Sequence, residues 1–241
     1  MEKQQLKGKT ALITGGSKGI GRGIAETLLT LGVNVAITSR SQKNADNAIR
    51  GLNGVDGAEL MAIEADVRNY KSQQDAVKKV LDKWGQLDIL VANAGLGHYN
   101  NIQDLTIEEW DETIDTNLTG VFYSVKASLD ALIESKGYII TISSLAGTNF
   151  FAGGSAYNAS KFGLTGFSQA LMLDVRDKGI KVSTIMPGSV ATHFNGKEPT
   201  SKDDWKIQSE DIGQMVSDLL HMHPRTLPSK VEVRPSQPPK K

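Results

Sequence analysis

Of the five tyrosines in the chain, only Tyr157 is followed four residues later by a lysine, Lys161. The pair falls in Gly154-Ser155-Ala156-Tyr157-Asn158-Ala159-Ser160-Lys161, where a long helical pattern begins. Positions four apart on a helix are neighbours on one face. A phenol ordinarily ionises at about pH 10, so it is a poor base at neutral pH unless nearby cations lower that value. Lys161 supplies one such charge. The pair therefore suits chemistry in which an oxygen gains or loses a proton. Just upstream an apolar run ends Ile142-Ser143-Ser144, and Ser144 offers a second donor to an oxyanion developing on a carbonyl. Each signal is weak alone. Tyr-x-x-x-Lys recurs by chance, and Ser143-Ser144 by itself reads as a strand-end turn.

A second constellation suits a phosphate ligand. Thr14-Gly15-Gly16-Ser17-Lys18-Gly19-Ile20-Gly21 follows the first apolar run and opens a helical pattern. Gly15, Gly19 and Gly21 permit positive φ, close backbone approach to a ligand and tight helix–strand packing. The free N–H groups of the new helix favour a pyrophosphate. The spacing is neither the strict G-x-G-x-x-G fingerprint nor a P-loop, and such turns also serve packing alone. The next run ends Ile37-Thr38-Ser39-Arg40. An NAD site would put an acid about 20 residues after the glycines, on the ribose hydroxyls. Ser39 stands there instead, followed by Arg40, with Lys18 inside the loop. A serine beside two cations welcomes a 2′-phosphate that an acid would repel, which points to NADP(H). A surface turn with an ordinary arginine is the plainer alternative.

These residues need elements to hold them. Short apolar runs occur at Thr10–Thr14, Val33–Ile37, Leu60–Ile63, Leu87–Val91, Tyr138–Ile142, Val182–Met186 and Val231–Val233. Brief, β-branched and largely uninterrupted, they read as strands buried on both faces. Helical spacing between them, as at Ile24, Leu28 and Leu29, implies right-handed crossovers. The expected fold is α/β: one domain spanning residues 1–241, a doubly wound, seven-stranded parallel sheet with helices on both faces. No internal repeat and no Gly-, Ser- or Pro-rich linker divides it. Residues 193–209 are polar, contain Pro199 and follow a strand end, where ligands bind in such sheets. They read as a substrate lid or a plain surface connection. Residues 235–241, Pro235-Ser236-Gln237-Pro238-Pro239-Lys240-Lys241, read as an extended tail.

Taken in order, Thr14-Gly15-x-x-x-Gly19-x-Gly21, Asn93-Ala94-Gly95, Asn117, Ser144, Tyr157, Lys161 and Pro187-Gly188 resemble the short-chain dehydrogenase/reductase family across roughly residues 7 to 234. The resemblance implies a Rossmann sheet and hydride transfer to or from a nicotinamide ring. It makes Tyr157 the general acid in reduction and the base in oxidation, with Lys161 lowering its pKa and holding the nicotinamide ribose. Ser144 would polarise the carbonyl, and Asn117 would hold a water that links Lys161 to solvent. Asp66 and Val67 match the adenine contact, and Asn93, Ala94 and Gly95 the turn after the fourth strand, with Ala92 where an asparagine is frequent. Pro187 and Gly188 begin the segment flanking the nicotinamide, with Val190 and Thr192 meeting its carboxamide and phosphate. Ser17, Lys18 and Ile20 join the glycines around the cofactor.

The resemblance extends to 3-oxoacyl-carrier-protein reductases, many of which end in Val-Asp-Gly-Gly. This chain has Val231-Glu232-Val233-Arg234-Pro235, which ranks a generic NADPH-dependent reductase of ketones, aldehydes or 3-oxoacyl groups, a carbonyl reductase, above a fatty-acid enzyme. The pocket wall would come from Leu145-Ala146-Gly147, Phe150, Phe151 and the 193–209 segment, which suits an apolar small-molecule substrate. A non-catalytic NADPH sensor is the rival of another class, disfavoured because all four catalytic positions are filled. The helical pattern Leu105–Ile133, with Trp110, Phe122 and Val125, reads as core or subunit interface, and by analogy a homodimer or homotetramer is expected.

Composition agrees. The chain has 241 residues, 27 basic and 27 acidic side chains and no cysteine. Zero net charge gives no field for nucleic acid or anionic lipid. The lack of cysteine removes disulfides, thiol nucleophiles and most structural zinc sites. The polar opening Met1–Gln5 reads as no signal peptide, and no apolar run approaches the roughly 18 residues that span a bilayer, so the expected address is cytoplasmic. His221-x-His223 with His193 lacks the spacing of a metal site, so no metal is expected.

Overall fold

In the computed structural model, residues 5–52, 54–55, 57–196 and 198–237 are described. Residues 1–4 of the polar opening, Lys197 of the 193–209 segment and residues 238–241 of the tail lie outside them. The strands are β1 (Thr10–Ile13), β2 (Asn34–Ser39), β3 (Leu60–Glu64), β4 (Ile89–Ala92), β5 (Tyr138–Ile142), β6 (Lys181–Pro187) and β7 (Lys230–Val233). They form one sheet in the order β3-β2-β1-β4-β5-β6-β7, and every pairing is parallel. The order reverses between β1 and β4. In open sheets of this kind a crevice opens beyond the carboxyl ends of those two strands.

The helices are α1 (Gly19–Thr30), α2 (Gln42–Ile49), α3 (Tyr70–Trp84), α4 (Ile107–Ile114), α5 (Gly120–Ser135), α6 (Ser155–Val175) and α7 (Ser209–Leu220). Neighbouring residues on a strand face opposite ways, and the two cores divide accordingly. Ile13, Val91 and Ile140 join Ile24 and Leu28 of α1 and Ile212 and Val216 of α7 on one side. Leu12, Leu90 and Ile139 join Val77 of α3, Val125 of α5 and Leu164 of α6 on the other. Both faces of the central strands are thus buried, which is why the sequence shows them as continuous apolar runs.

The pattern Leu105–Ile133 is not one helix. Thr106 and Glu109 form a reciprocal capping box that starts α4. A π-helical turn, Asp115–Thr119, then carries the chain into α5. A π turn widens the helix by one residue, and Asn117, in its middle, is fully buried. Of the residues in that pattern read as core or interface, Val125 is buried, whereas Trp110 and Phe122 are exposed. Among the described residues no helix is long and apolar enough to cross a membrane.

Candidate active site

The first cradle is the turn from β1 to α1. Gly15 and Gly19 adopt φ of 64° and 55°, left-handed values that side chains rarely accept. A Cβ on Gly15 would stand 2.8 Å from Ala94 Cα, and one on Gly21 would stand 2.5 Å from Asn93 Nδ2. The loop is therefore pressed against the turn after β4. Thr14 Oγ1 accepts from the backbone N–H groups of Asn93 and Ala94 at 3.0 and 3.1 Å. Asn93 Nδ2 donates back to the carbonyls of Thr14 and Gly15 at 2.9 and 3.1 Å. Two turns at the switch point are locked together, and Gly15, Ser17, Lys18 and Gly19, which lead into α1, line an open cleft. That backbone cradle fits a dinucleotide pyrophosphate.

The second cradle is built from side chains. Ser144 ends the run of β5 and caps the short turn Leu145–Gly147, its Oγ accepting from Ala146 N at 3.1 Å. Ser143 points away, 3.1 Å from Thr165 Oγ1 of α6. Tyr157 and Lys161 occupy successive turns at the start of α6, both buried. Burial pushes the Tyr157 phenol above its ordinary value, while hydrogen bonding to Ser144 and then Tyr99 pulls it back. Lys161 Nζ lies 5.7 Å from the Tyr157 ring centroid and donates to Ile142 O at 3.1 Å. Burial lowers its pKa from the usual 10.5 to about 8.

Asn117 is positioned beneath. Its Nδ2 donates to Leu96 O at 2.8 Å and Ser160 Oγ at 3.0 Å, and its Oδ1 accepts from Leu96 N at 2.9 Å. The side chain thus braces the turn after β4 against α6.

One cleft of about 1660 Å³ joins the two cradles. Typical small-ligand pockets are roughly 300–1,000 Å³, so this one has room for a dinucleotide and a second molecule. It is lined by Ser17, Lys18, Ile20, Ser39, Arg40, Val67, Gly95, Pro187, Gly188, Val190 and Thr192, and by nearly all the other residues the sequence singled out. Thr14, Gly21 and Asn117 do not line it; they act from behind its wall. Leu145, Ala146, Phe150 and Phe151 line the expected pocket wall. Gly147 does not. A Cβ there would be 2.5 Å from Thr165 Oγ1, so it lets the turn pack on α6.

Several partners were invisible in sequence. Arg68 Nη2 binds Asp66 Oδ2 at 2.7 Å and holds that carboxyl below its usual range. Glu112 of α4 draws in Arg40 at 3.5 Å, Arg68 at 3.4 Å and His98 at 3.0 Å. Asn158 Nδ2 pins the loop after β5 to α6 through Ala146 O and Asn149 O, both at 2.8 Å. From the 193–209 segment, Phe194 packs edge-on to Tyr157 with centroids 6.0 Å apart. The far end of the segment is tied where Ala191 N donates to Ile207 O at 2.9 Å. His193 pairs with Glu198, and His221 with the carbonyl of Ser217.

Residues 9–203 match the model of the short chain dehydrogenase family. The 3-oxoacyl-[acyl-carrier-protein] reductase FabG of Escherichia coli is 41% identical over 188 residues, 78% of this chain and 75% of that protein. An uncharacterized oxidoreductase of Staphylococcus saprophyticus is 32% identical over 236 residues, 96% of this chain and 99% of that one. Among solved structures, a short chain dehydrogenase from Burkholderia cenocepacia in complex with NADP superposes with a TM-score of 0.86 at 32% identity, covering 96% of this chain and 98% of that chain. An alcohol dehydrogenase from Thermococcus sibiricus, complexed with 5-hydroxy-NADP, gives 0.86 at 29% identity over 97% and 99%. With the family pattern spanning this much of a chain that shares its sheet, the protein belongs to the short-chain dehydrogenase family.

Proposed function

We propose that the protein is an NADPH-dependent reductase of a small-molecule carbonyl compound, a ketone, aldehyde or 3-oxoacyl group. The observation that carries this reading is the meeting of Ser144, Tyr157 and Lys161 in the same cleft as the glycine cradle. Ser39, Arg40 and Lys18 line the adenosine end, and no acid stands at the tip of β2. The relatives solved with NADP support the choice of cofactor.

When bound, NADPH supplies the hydride that adds to the carbonyl carbon. Ser144 orients the carbonyl by donating to its oxygen, and Tyr157 Oη gives that oxygen its proton, so that an alcohol forms and a phenolate remains. Lys161 has three N–H donors and spends one on Ile142 O. The other two are left for the ribose hydroxyls, and its charge favours the phenolate. Asn117 anchors the route by which a water returns a proton. The 193–209 segment closes over the substrate, Phe194 forming part of an apolar wall with Phe150 and Phe151. Ile107, Phe122, Phe162 and Leu173 leave apolar surface exposed on α4, α5 and α6, which suits a homo-oligomer.

A panel of ketones, aldehydes and acetoacetyl thioesters with NADPH tests the reading. At least one member is reduced, and Tyr157→Phe loses turnover by about 10²–10⁴-fold while still binding cofactor. Retained turnover in that variant would sink the mechanism, and tight NADPH binding with no turnover on any member would favour a sensor. Preference for the acetoacetyl thioester would select the reading favoured by the identity to FabG, a 3-oxoacyl-carrier-protein reductase.

A further inference from the structure

Four of the rings that line the cleft touch in one unbroken chain that includes Tyr157. Tyr99, on the loop between β4 and α4, stands edge-on to Tyr157 with centroids 5.3 Å apart, and edge-on to Phe151, from the loop after β5, at 5.7 Å. Phe194, from the 193–209 segment, meets Tyr157 edge-on at 6.0 Å. The backbone makes room for them. A Cβ on Gly97 would stand 3.0 Å from Tyr99 Cζ and 3.1 Å from Tyr157 Cδ2, and one on Gly154 would stand 2.8 Å from Phe151 Cε2. A side chain at either glycine would push a ring out of the chain. Asn158 fixes the loop that carries Phe150 and Phe151 through Ala146 O and Asn149 O, and its Oδ1 accepts from Phe151 N at 3.4 Å. Yet Tyr99 is 45% exposed, Phe151 48% and Phe150 85%. Apolar surface left open beside a reactive group, on side chains whose loops are held, marks a contact with a ligand.

We propose that this chain of rings selects aryl ketones and aldehydes, substrates whose carbonyl is bonded directly to a flat aromatic ring. The inference rests on carbonyl reduction at Tyr157, the proposed function, and names the substrate class of that same site. With its oxygen at Tyr157 Oη, the substrate finds Tyr99 and Phe194 as the rings nearest that phenol, with Phe151 one ring further along. Aromatic rings favour edge-to-face and offset contacts with centroids about 4.5–7 Å apart. The three spacings within the chain lie in that range, and a substrate ring continues the same pattern. Each such contact adds roughly two- to tenfold to binding beyond the area it buries. A saturated group of the same size buries the same area and gains nothing from ring contacts. An aryl ring is also conjugated with its carbonyl and coplanar with it, so little torsional freedom is lost on binding. A linear 3-oxoacyl chain has neither property.

Acetophenone and cyclohexyl methyl ketone differ only in the saturation of the ring, and their kcat/KM ratio with NADPH tests the proposal. Compared between two enzymes, the ketones' own reactivities cancel from that ratio. Tyr99→Leu and Phe151→Leu each lower the preference for acetophenone by about two- to tenfold, and the double variant lowers it further. Tyr99→Phe, which keeps the ring, keeps the preference. Both side chains are about half exposed, so the leucine variants stay folded. A ratio that holds its wild-type value in both leucine variants overturns the proposal, as does a higher kcat/KM for an acetoacetyl thioester than for acetophenone. Calorimetric binding of the two ketones to the protein saturated with NADP⁺, which has no hydride to give, reads the same preference without turnover. Acetophenone binds tighter there, and Phe151→Leu reduces the advantage. Equal binding of the two ketones overturns the substrate class and leaves the proposed function intact. Turnover surviving in Tyr157→Phe instead overturns the proposed function, while the binding comparison still reads the rings.

Discussion

Two charged side chains are buried at opposite ends of this sheet, and they are treated differently. At the amino edge Asp88, just before β4, accepts from Lys9 Nζ at 2.7 Å and from Thr10 N at 2.8 Å. It ties the start of β1 to the start of β4 with its charge matched. At the carboxyl edge Lys161, 4% exposed, bonds one carbonyl, and among the described residues no carboxylate pairs with it. Burying a charge is costly unless it is paired and hydrogen-bonded. Asp88 meets that condition inside the scaffold. Lys161 does not, and its depressed pKa records the cost. A matched buried charge holds the fold, and one with donors to spare is held ready for what binds.

The largest test of that contrast is Lys161→Met. Reductase activity should fall by about 10²–10⁴-fold, with no loss of stability at neutral pH, because the methionine buries the same length without a charge. Stability should also lose a pH dependence. The folded value of about 8 lies below the ordinary 10.5, so between those values the unfolded chain binds the proton that the folded chain lacks. The wild type is therefore stabilised as pH rises through that window, by on the order of 3 kcal/mol. Urea melts at about pH 8 and about pH 10 read this as a slope present in the wild type and absent in the variant. Parallel slopes would mean that Lys161 is not desolvated, and the contrast would fail.

At the other edge the expectation inverts. Asp88→Ala leaves the N–H of Thr10 without its acceptor and Lys9 without its partner. The cost is about 2–3 kcal/mol, less than for a fully buried pair because Lys9 is partly exposed. Turnover per folded molecule should stay at the wild-type level, since nothing in the cleft touches Asp88. A stability loss near zero, or a turnover loss beyond a few-fold in the folded protein, would break the division between scaffold and site.

The sequence made one of these groups plain and hid the other. Tyr157 and Lys161 were legible because a helix sets positions four apart on one face, and Ser144 because parallel strands buried on both faces are locally apolar and the residues just past them stand out. The glycine turn was legible for the same reason. Asp88 was not. It sits within the run Leu87–Val91 and looked like a strand residue, yet β4 begins at Ile89 and the carboxylate belongs to a contact 78 residues away. Tyr99 escaped notice because loop packing brings it to Tyr157, and Arg68 because the two-residue turn that folds it onto Asp66 leaves no periodic signal. The π turn at Asp115–Thr119 was hidden because apolar spacing runs through it, though Asn117 marked the place.

Arg40 makes the smallest effect and the finest test, because it is the charge treated in a third way. It is neither buried and matched nor buried and spare; its side chain is 65% exposed, with Nη1 3.5 Å from Glu112. A long pair in solvent is worth little, so Arg40 is available to a 2′-phosphate at small cost, with Lys18 and Ser39 lining the same cleft. Arg40→Ala should lower the preference for NADPH over NADH by roughly tenfold, the scale of one charge-assisted bond with its partners left in place. Glu112→Gln should move the preference the other way, by a few-fold, because it releases Arg40 and weakens the hold on Arg68 as well. Both effects should shrink as salt rises, whereas the Lys161→Met effect, inside the protein, should not. An unchanged cofactor ratio in Arg40→Ala would pass the role of phosphate reader to Lys18 and leave Arg40 as a strut between β2 and α4.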